Sequence, residues 1–376
     1  MVATMRQKLI PVLILIIGGI LLACALYLAQ PPKEIIIGFS GPLEGKYSDL
    51  GVEGRNAVIM AIEELNAKGG IHGAKLRLLS AHDGYTPKEA VSADNSLISH
   101  GAVAIIGHMT SAQMQAVLDA GVDTLYISPT ASTYKLEGRD DNMFRMITSN
   151  AKIGQAAGEH AGSHGAKTAA TIFDVVNEEY THTYIDAAVQ GFTKKGGMAI
   201  ASIPFVSTDP SSILNAAKKA VQSKAEVIFT ASSARDTALL LTHMGQMGYT
   251  GTRYSSSWAL TPALISQGGS AVEGTIFAHP YPITVSRQEH KEFLDRFQAR
   301  FGWKPGFPGV YSYSAMMLLT NALEKTKGSK EGLRDALKSI RKHDGLTSII
   351  TLDEYGDAHM PLYISTVKNG VFEALQ

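Results

Sequence analysis

Cysteine is almost absent from this sequence of 376 residues, in which Cys24 is the single example. One cysteine cannot form an internal disulfide or a cysteine-rich zinc site, which excludes disulfide scaffolds and zinc fingers. An excess of charge of one sign is also lacking, because 34 basic residues balance 34 acidic residues. That balance argues against a nucleic-acid-binding protein, which usually carries a basic excess.

The short motifs that carry catalysis are missing as well. The sequence has no G-x-S-x-G elbow, no G-x-x-x-x-G-K-[ST] phosphate loop, no G-x-G-x-x-G and no H-E-x-x-H. His160 and His164 stand four residues apart on a predicted helix, a spacing that can hold a metal, but no acid or third histidine is near. We therefore expect a protein that is not an enzyme and that has no metal site and no cofactor.

The first residues have the pattern of a targeting segment. Arg6 and Lys8 precede an apolar run over residues 9–29, as in a secretory signal or an N-terminal membrane anchor. Residues 21–24, Leu-Leu-Ala-Cys, are similar to the box at which bacterial lipoproteins are cleaved and lipidated. Three outcomes stay open: lipidation at Cys24, an uncleaved anchor, or an ordinary signal peptide. Each places the remaining chain on the periplasmic or extracellular face of the cytoplasmic membrane.

The chain after residue 33 alternates short apolar runs with amphipathic stretches. This alternation predicts βαβ units with parallel sheets, and the number of strands favours two α/β lobes over one large sheet. The rhythm changes after residue 278, where three long helices are predicted at 287–301, 311–326 and 330–340. We expect the chain to return to the first lobe there and to cross again near its end.

Polar loops follow two of the predicted strands. Ser111 follows the strand predicted at 103–106, and Ser128 and Thr130 follow the strand that ends at Ile127. In open α/β sheets ligands bind outside the carboxyl ends of strands, and a serine at a helix N-terminus favours an anion such as a carboxylate. The alternative is that these hydroxyls serve only as caps and turn residues.

Several motifs occur in an order that is typical of one family. They lie at residues 37–45, 64–73, 82–91, 105–108, 127–129 and 144–145. In them the chain resembles periplasmic solute-binding proteins of the branched-chain amino acid (Leu/Ile/Val) ABC transporter family. The resemblance implies the type I periplasmic-binding-protein fold, with two doubly wound α/β lobes joined by a three-crossover hinge.

The resemblance also implies a division of the chain. A signal peptide or N-terminal anchor with a spacer would cover residues 1–32. The N-terminal lobe would comprise 33–150 plus 280–349, and the C-terminal lobe 151–279 plus 350–376. The crossovers would then fall near residues 149–151, 278–281 and 348–352.

The family's ligand-binding positions carry over unevenly. In the first lobe they correspond to two loops, and Tyr47 could replace an aromatic whose position falls on Leu50. In the second lobe they correspond to an aromatic and to polar or aromatic residues after later strands. The implied ligand-binding residues are Met109, Thr110, Ser111, Thr130, Ala131, Ser132, Tyr47, Tyr180, Ser233, Ser257 and Trp258.

Two departures from the family lie in the second lobe, and one of them concerns the ligand's ammonium group. Ser257 stands where amino-acid binders have an acid, and a tyrosine expected near residues 232–234 is missing. A buried ammonium without a carboxylate partner is costly. Either the ligand lacks an amino group, or an acid such as Asp236 or Glu178 takes over. Tyr180 and Trp258 could instead stack on an aromatic or flat amide ligand.

The leading hypothesis is an extracytoplasmic solute-binding protein of an ABC importer. It would capture an amino acid or another small carboxylate-bearing solute between two closing lobes. Its partners would be that solute, the permease subunits, and the membrane through the N-terminal segment, but no nucleic acid. The alternative is a ligand-sensing receptor subunit of the same fold that binds a small amide, urea or aromatic acid. An enzyme on this scaffold is a third hypothesis, and the lack of catalytic motifs in the sequence disfavours it.

Overall fold

The computed structural model describes residues 34–375, so the N-terminal segment and Cys24 lie outside the described residues. Two large sheets organise these residues, one of five strands and one of seven. No helix within residues 34–375 combines the length and the apolarity that a bilayer span requires. The alternation of strands and helices predicted from the sequence is confirmed.

The first sheet is parallel throughout and has the strand order β2-β1-β3-β4-β5. Its central strands are short apolar runs buried on both faces, as parallel sheets covered by helices require. The strands are β1 Glu34–Gly41, β2 Lys75–His82, β3 Ile105–Ile106, β4 Tyr126–Ser128 and β5 Met143–Arg145.

Three helices connect these strands, namely α1 Ser48–Ala67, α2 Pro87–Ser99 and α3 Ser111–Asp119. A capping box begins α2, because the Thr86 side chain accepts from the Glu89 backbone N–H and the Glu89 carboxylate accepts from the Thr86 backbone N–H. The side chain of Thr110, the residue before α3, caps none of that helix's N–H groups. The N-terminus of α3 therefore depends on partners from elsewhere.

The second sheet has the order β15-β14-β10-β9-β8-β6-β7, in which β14 pairs antiparallel with both β10 and β15 and the other neighbouring strands pair in parallel. Five helices pack on it. The strands are β6 Thr168–Asp174, β7 Met198–Phe205, β8 Val227–Ala231, β9 Thr252–Ser255, β10 Ile276–His279, β14 Tyr363–Lys368 and β15 Val371–Ala374. The helices are α4 Asn150–Ser163, α5 Glu178–Lys194, α6 Pro210–Ser223, α7 Ala234–Gln246 and α8 Pro262–Gly268.

The segment between β10 and β14 returns to the first sheet. It contains three helices and a small antiparallel sheet, and its apolar side chains join the core of the first sheet. Its elements are α9 Gln288–Phe301, α10 Phe307–Lys325, α11 Leu333–Lys338, β11 Lys342–Asp344, β12 Ile349–Leu352 and β13 Ala358–His359. We call β1–β5, β11–β13, α1–α3 and α9–α11 the first lobe, and the remaining helices and strands the second lobe.

The third crossover lies later than the sequence predicted. The expected boundary at 349/350 is wrong, because β12 and β13 stay with the first lobe and the chain crosses only between His359 and Tyr363. Ile350 and Ala358 bury their side chains in the first-lobe core. Asp357 also pairs with the buried Arg145, whose Nε lies 2.7 Å from its Oδ1. A short apolar strand has the same pattern in either sheet, so the sequence could not assign it.

Candidate functional site

The two predicted polar loops meet at the carboxyl edge of the first sheet. β3 and β4 are paired in parallel, so the loops that follow them lie side by side. The Ser111 hydroxyl, in the first turn of α3, accepts hydrogen bonds from the backbone N–H groups of Ser132 and Thr133 at 3.0 and 3.2 Å. Ser111 thereby joins the two loops, and its own hydroxyl hydrogen remains available for a further acceptor.

Two of the other hydroxyls in these loops donate hydrogen bonds within the protein, and a third does not. Ser128 donates to the carbonyl of His108 at 2.7 Å, and Thr130 donates to that of Met109 at 2.5 Å. The Ser132 hydroxyl is buried and makes no hydrogen bond to any described residue. A buried polar group without a partner is costly, which suits a group that meets a ligand.

A cavity lies between the lobes against these loops. The space that protein atoms leave free there is about 330 Å³ with open solvent included, and the centre of a water molecule can occupy about 20 Å³ of it. Its lining residues are apolar, aromatic, hydroxyl-bearing or amide-bearing, and no acidic or basic residue is among them. They are Leu50, Met109, Ser111, Thr130, Ser132, Ile147 and Phe307 from the first lobe, and Asn177, Tyr180, Ser257 and Trp258 from the second.

An aromatic pair forms the second-lobe wall of the cavity. Tyr180 and Trp258 meet edge to face with ring centroids 5.5 Å apart, and the Tyr180 hydroxyl accepts from the Trp258 backbone N–H at 3.1 Å. Burial raises the pKa of Tyr180, so its phenol stays protonated and can donate a hydrogen bond. Trp258 also packs against the ring of Tyr47 from the first lobe, with the two ring centroids 5.0 Å apart.

Four of the residues predicted from the sequence lie outside the cavity lining, namely Thr110, Ala131, Tyr47 and Ser233. Tyr47 donates to the Asp174 carboxylate and lies 2.9 Å from the Ser207 hydroxyl, so its polar end bridges the lobes rather than facing the cavity. Ser233 caps α7, where its hydroxyl accepts from the Asp236 N–H and donates to the Asp236 carboxylate.

The acids considered as partners for a ligand ammonium also lie elsewhere. Asp236 pairs with Ser233 and lines a different pocket beside Arg235. Glu178 is 65% exposed and faces His182 one helical turn along α5. The cavity is therefore lined by hydrogen-bonding groups of no net charge, and a buried ammonium would find no carboxylate among them.

Asn177 is a site residue that the sequence reasoning missed. Its side chain is 3% exposed, lines the cavity, and accepts at Oδ1 a hydrogen bond of 3.1 Å from the Ala112 N–H of α3 across the lobes. Its sequence context is a polar residue that follows β6 and precedes two acids at a helix start. That context was the available signal, because it places a polar residue at the carboxyl edge of the second sheet.

A buried ion cluster supports the loop that carries Met109 and Ser111. The His108 ring lies between two carboxylates, with Nδ1 2.8 Å from Asp83 Oδ2 and Nε2 2.9 Å from Asp94 Oδ2. Burial would lower the pKa of His108, but the charge of Asp94 and the hydrogen bonds to both aspartates outweigh it. They raise the pKa from 6.5 to about 10. His108 is therefore a fixed cation that ties the loop to α2.

The histidine pair at 160 and 164 does not gain further ligands. The two rings stack with centroids 4.0 Å apart, and the His160 Nδ1 lies 2.7 Å from the Tyr254 hydroxyl. Within residues 34–375 no group of three or more histidine, cysteine, aspartate or glutamate side chains could hold a metal ion.

Two α/β lobes joined by three crossovers, with a small cavity at the carboxyl edges of their sheets, define a two-lobed solute-binding fold. The family model described as periplasmic binding protein matches residues 34–371. The chain belongs to this family, whose members bind solutes. The resemblance to the Leu/Ile/Val-binding proteins and the predicted type I fold are both confirmed.

Relatives with amino-acid-binding names cover most of the chain. It is 24% identical over 328 residues to the leucine-, isoleucine-, valine-, threonine- and alanine-binding protein of Pseudomonas aeruginosa, with 86% of this chain and 87% of that protein covered. It is 25% identical over 346 residues to Leu/Ile/Val-binding protein homolog 1 of Brucella melitensis, with 88% and 89% covered.

Solved structures share the fold. A leucine-binding protein from Thermotoga maritima superposes with a TM-score of 0.82 at 25% identity, covering 91% of this chain and 98% of that chain. A solute-binding protein of an ABC transporter from R. palustris, in complex with benzoate, gives a TM-score of 0.83 at 17% identity, covering 91% and 95%. The chain is thus homologous to substrate-binding proteins of amino-acid ABC transporters, while structures of its fold hold solutes of different chemistry.

Proposed function

We propose that this protein is the solute-binding component of an ABC importer and that its solute is a small carboxylate with an apolar body and no ammonium group. The observation that carries the proposal is the cavity lining, which offers hydroxyl and amide donors but no acid. The hydroxyls of Ser111 and Ser132 supply donors for a carboxylate, while Tyr180 and Trp258 supply an aromatic wall.

The protein would perform no chemistry on its solute. Closure of the lobes around the solute would give the permease subunits a shape to recognise. The N-terminal segment would hold the protein at the membrane, through a lipid on Cys24 or through an uncleaved helix, or would be removed as a signal peptide. Mass spectrometry of the mature N-terminus distinguishes these three outcomes.

Matched pairs of ligands test the missing ammonium partner. Leucine and 4-methylpentanoate differ only in the amino group, as do phenylalanine and 3-phenylpropanoate. We expect each des-amino acid to bind at least about 100-fold more tightly, since an unpaired buried ion costs several kcal/mol. Tighter binding of leucine than of 4-methylpentanoate would overturn the proposed ligand class.

The two tryptophans provide a convenient reporter of binding. Trp258 lines the cavity, whereas Trp303 is 43% exposed and lies outside it, so Trp303→Phe leaves one indole at the site. In that background Ser132→Ala should weaken carboxylate binding by roughly tenfold, the value of a hydrogen bond to a charged group. Ser233→Ala is the matched control, because it removes a buried serine that caps a helix away from the cavity. It should lower stability and leave affinity unchanged.

A further inference from the structure

Asn177 occupies an unusual position among the contacts between the lobes. It comes directly before α5 of the second lobe, and its backbone carbonyl accepts from Tyr180 and Thr181 at the start of that helix. Its side chain crosses to the first lobe, where Oδ1 accepts from Ala112 in the first turn of α3. Asn177 thus supplies the cap that Thr110 does not provide.

The other end of the same amide is unused. Among the hydrogen bonds of the described residues, the Asn177 side chain takes part only through Oδ1. The residue is 3% exposed, and it lines both the cavity, beside Ser111 and Ser132, and a neighbouring pocket. A primary amide carries an acceptor and a donor on one rigid group. While Oδ1 holds the first lobe, Nδ2 can donate into the cavity.

We propose that Asn177 couples ligand recognition to lobe closure, with Oδ1 bound to α3 and Nδ2 donating to the carboxylate of the ligand. This inference rests on the proposed function, because it needs an anionic ligand in the cavity. Oδ1 meets Ala112 only when the lobes are together, so the donor is held in place in the closed state alone. An anion that accepts from Nδ2 therefore stabilises closure directly.

Two other hydrogen bonds across the lobes lack this double role. The hydroxyls of Thr133 and Thr183 share a hydrogen bond of 2.9 Å, and the Tyr47 hydroxyl donates to Asp174. None of these four side chains lines the cavity. They stabilise the closed state whatever the ligand is, and they provide matched controls.

The substitution Asn177→Asp distinguishes the role of the acceptor Oδ1 from that of the donor Nδ2. Aspartate has the same shape and keeps an acceptor for the Ala112 N–H, where its charge is favourable at a helix N-terminus. It loses the donor and places a negative charge against the ligand's carboxylate. We expect benzoate affinity to fall by about 100-fold, while small-angle scattering shows the free protein at least as compact as the wild type.

Benzamide serves as the neutral partner of benzoate in the same titration. Asn177→Asp should weaken benzoate far more than benzamide, so the ratio of the two dissociation constants should change by at least tenfold. Thr183→Val removes a contact across the lobes away from the cavity, so it should weaken both ligands by a similar small factor. A role confined to holding the lobes together predicts no change in the ratio.

The outcomes distinguish this inference from the function on which it rests. If the wild type binds a carboxylate but Asn177→Asp leaves the ratio unchanged, the coupling role is wrong and the proposed function stands. If the wild type binds none of the tested carboxylates, the proposed ligand class fails and this inference fails with it. A changed ratio with an unchanged compact free state supports the inference.

Discussion

Replacement of His108 by leucine tests how the ligand-binding loop is held. The substitution removes a cation from between Asp83 and Asp94, whose side chains are fully buried. Removal of one partner from a buried ion pair typically costs about 3–5 kcal/mol, because the remaining charge stays unpaired. The rise of the His108 pKa from 6.5 to about 10 corresponds to roughly 5 kcal/mol in favour of the protonated form. We therefore expect a loss of about 3–5 kcal/mol at pH 7.

The loss should depend on pH in a defined direction. The folded protein binds the His108 proton more tightly than the unfolded chain does, so this stabilisation is complete below pH 6.5 and falls as the pH rises towards about 10. The wild type should therefore lose stability over this range, by up to about 1.4 kcal/mol per pH unit from this group. His108→Leu should lack that contribution.

Urea unfolding followed by circular dichroism at pH 7, 8.5 and 10 measures both effects. His343→Leu is the matched control, because His343 is equally buried but has a pKa that burial lowers. His343→Leu should lower the free energy of unfolding far less than His108→Leu does. The triple variant with Asp83→Asn and Asp94→Asn should recover part of the loss, since amides carry no charge. A cost for His108→Leu below about 1 kcal/mol, or equal to that of His343→Leu, would refute the reasoning.

Two further substitutions follow from contacts beside the cavity. Tyr47→Phe keeps the ring against Trp258 but removes the hydrogen bond to Asp174. Ligand affinity should therefore fall by roughly 3–10-fold, mainly through faster ligand release, which stopped-flow experiments measure. An unchanged release rate would contradict this role of the Tyr47 hydroxyl. Burial raises the pKa of the Glu53 carboxyl to about 8, although two backbone N–H groups at the start of α10 donate hydrogen bonds to it. Because the folded protein then binds this proton more tightly than the unfolded chain does, the wild type should lose stability as the pH rises from 4.5 to 8. In calorimetry, the Tm of Glu53→Gln should depend less on pH than the Tm of the wild type, and it should be higher than the wild-type Tm at pH 8. Equal slopes of Tm against pH in the two proteins would exclude the effect.

The fold class was readable from local signals. Apolar runs at β1, β3 and β4, the capping box of α2, and the ordered family motifs each depend on residues close together in the chain. Their physical causes are strand burial, helix capping and turn formation, which are largely local. The position of the first-lobe loops followed from the same signals, because parallel strands bring their carboxyl ends to one edge.

The role of each serine in those loops was not readable. Ser111, Ser128 and Ser132 have the same side chain, but the Ser111 hydroxyl joins two loops, the Ser128 hydroxyl donates to a carbonyl, and the Ser132 hydroxyl has no partner among residues 34–375. Their partners are supplied by backbone groups that approach only in the folded lobe. A hydroxyl can act as a cap or as a ligand contact, and sequence spacing does not distinguish the two roles.

Contacts across the lobes were the least accessible to sequence reasoning. Tyr47 is 127 residues from Asp174, and Asn177 is 65 residues from Ala112. The sequence determined that two α/β lobes form and that polar loops lie at the edge of the first sheet, because periodicity and capping act over short distances. The tertiary structure decided which side chains meet when the lobes close, and that the cavity contains no acid. Those features depend on how two separately folded surfaces meet, which no local pattern encodes.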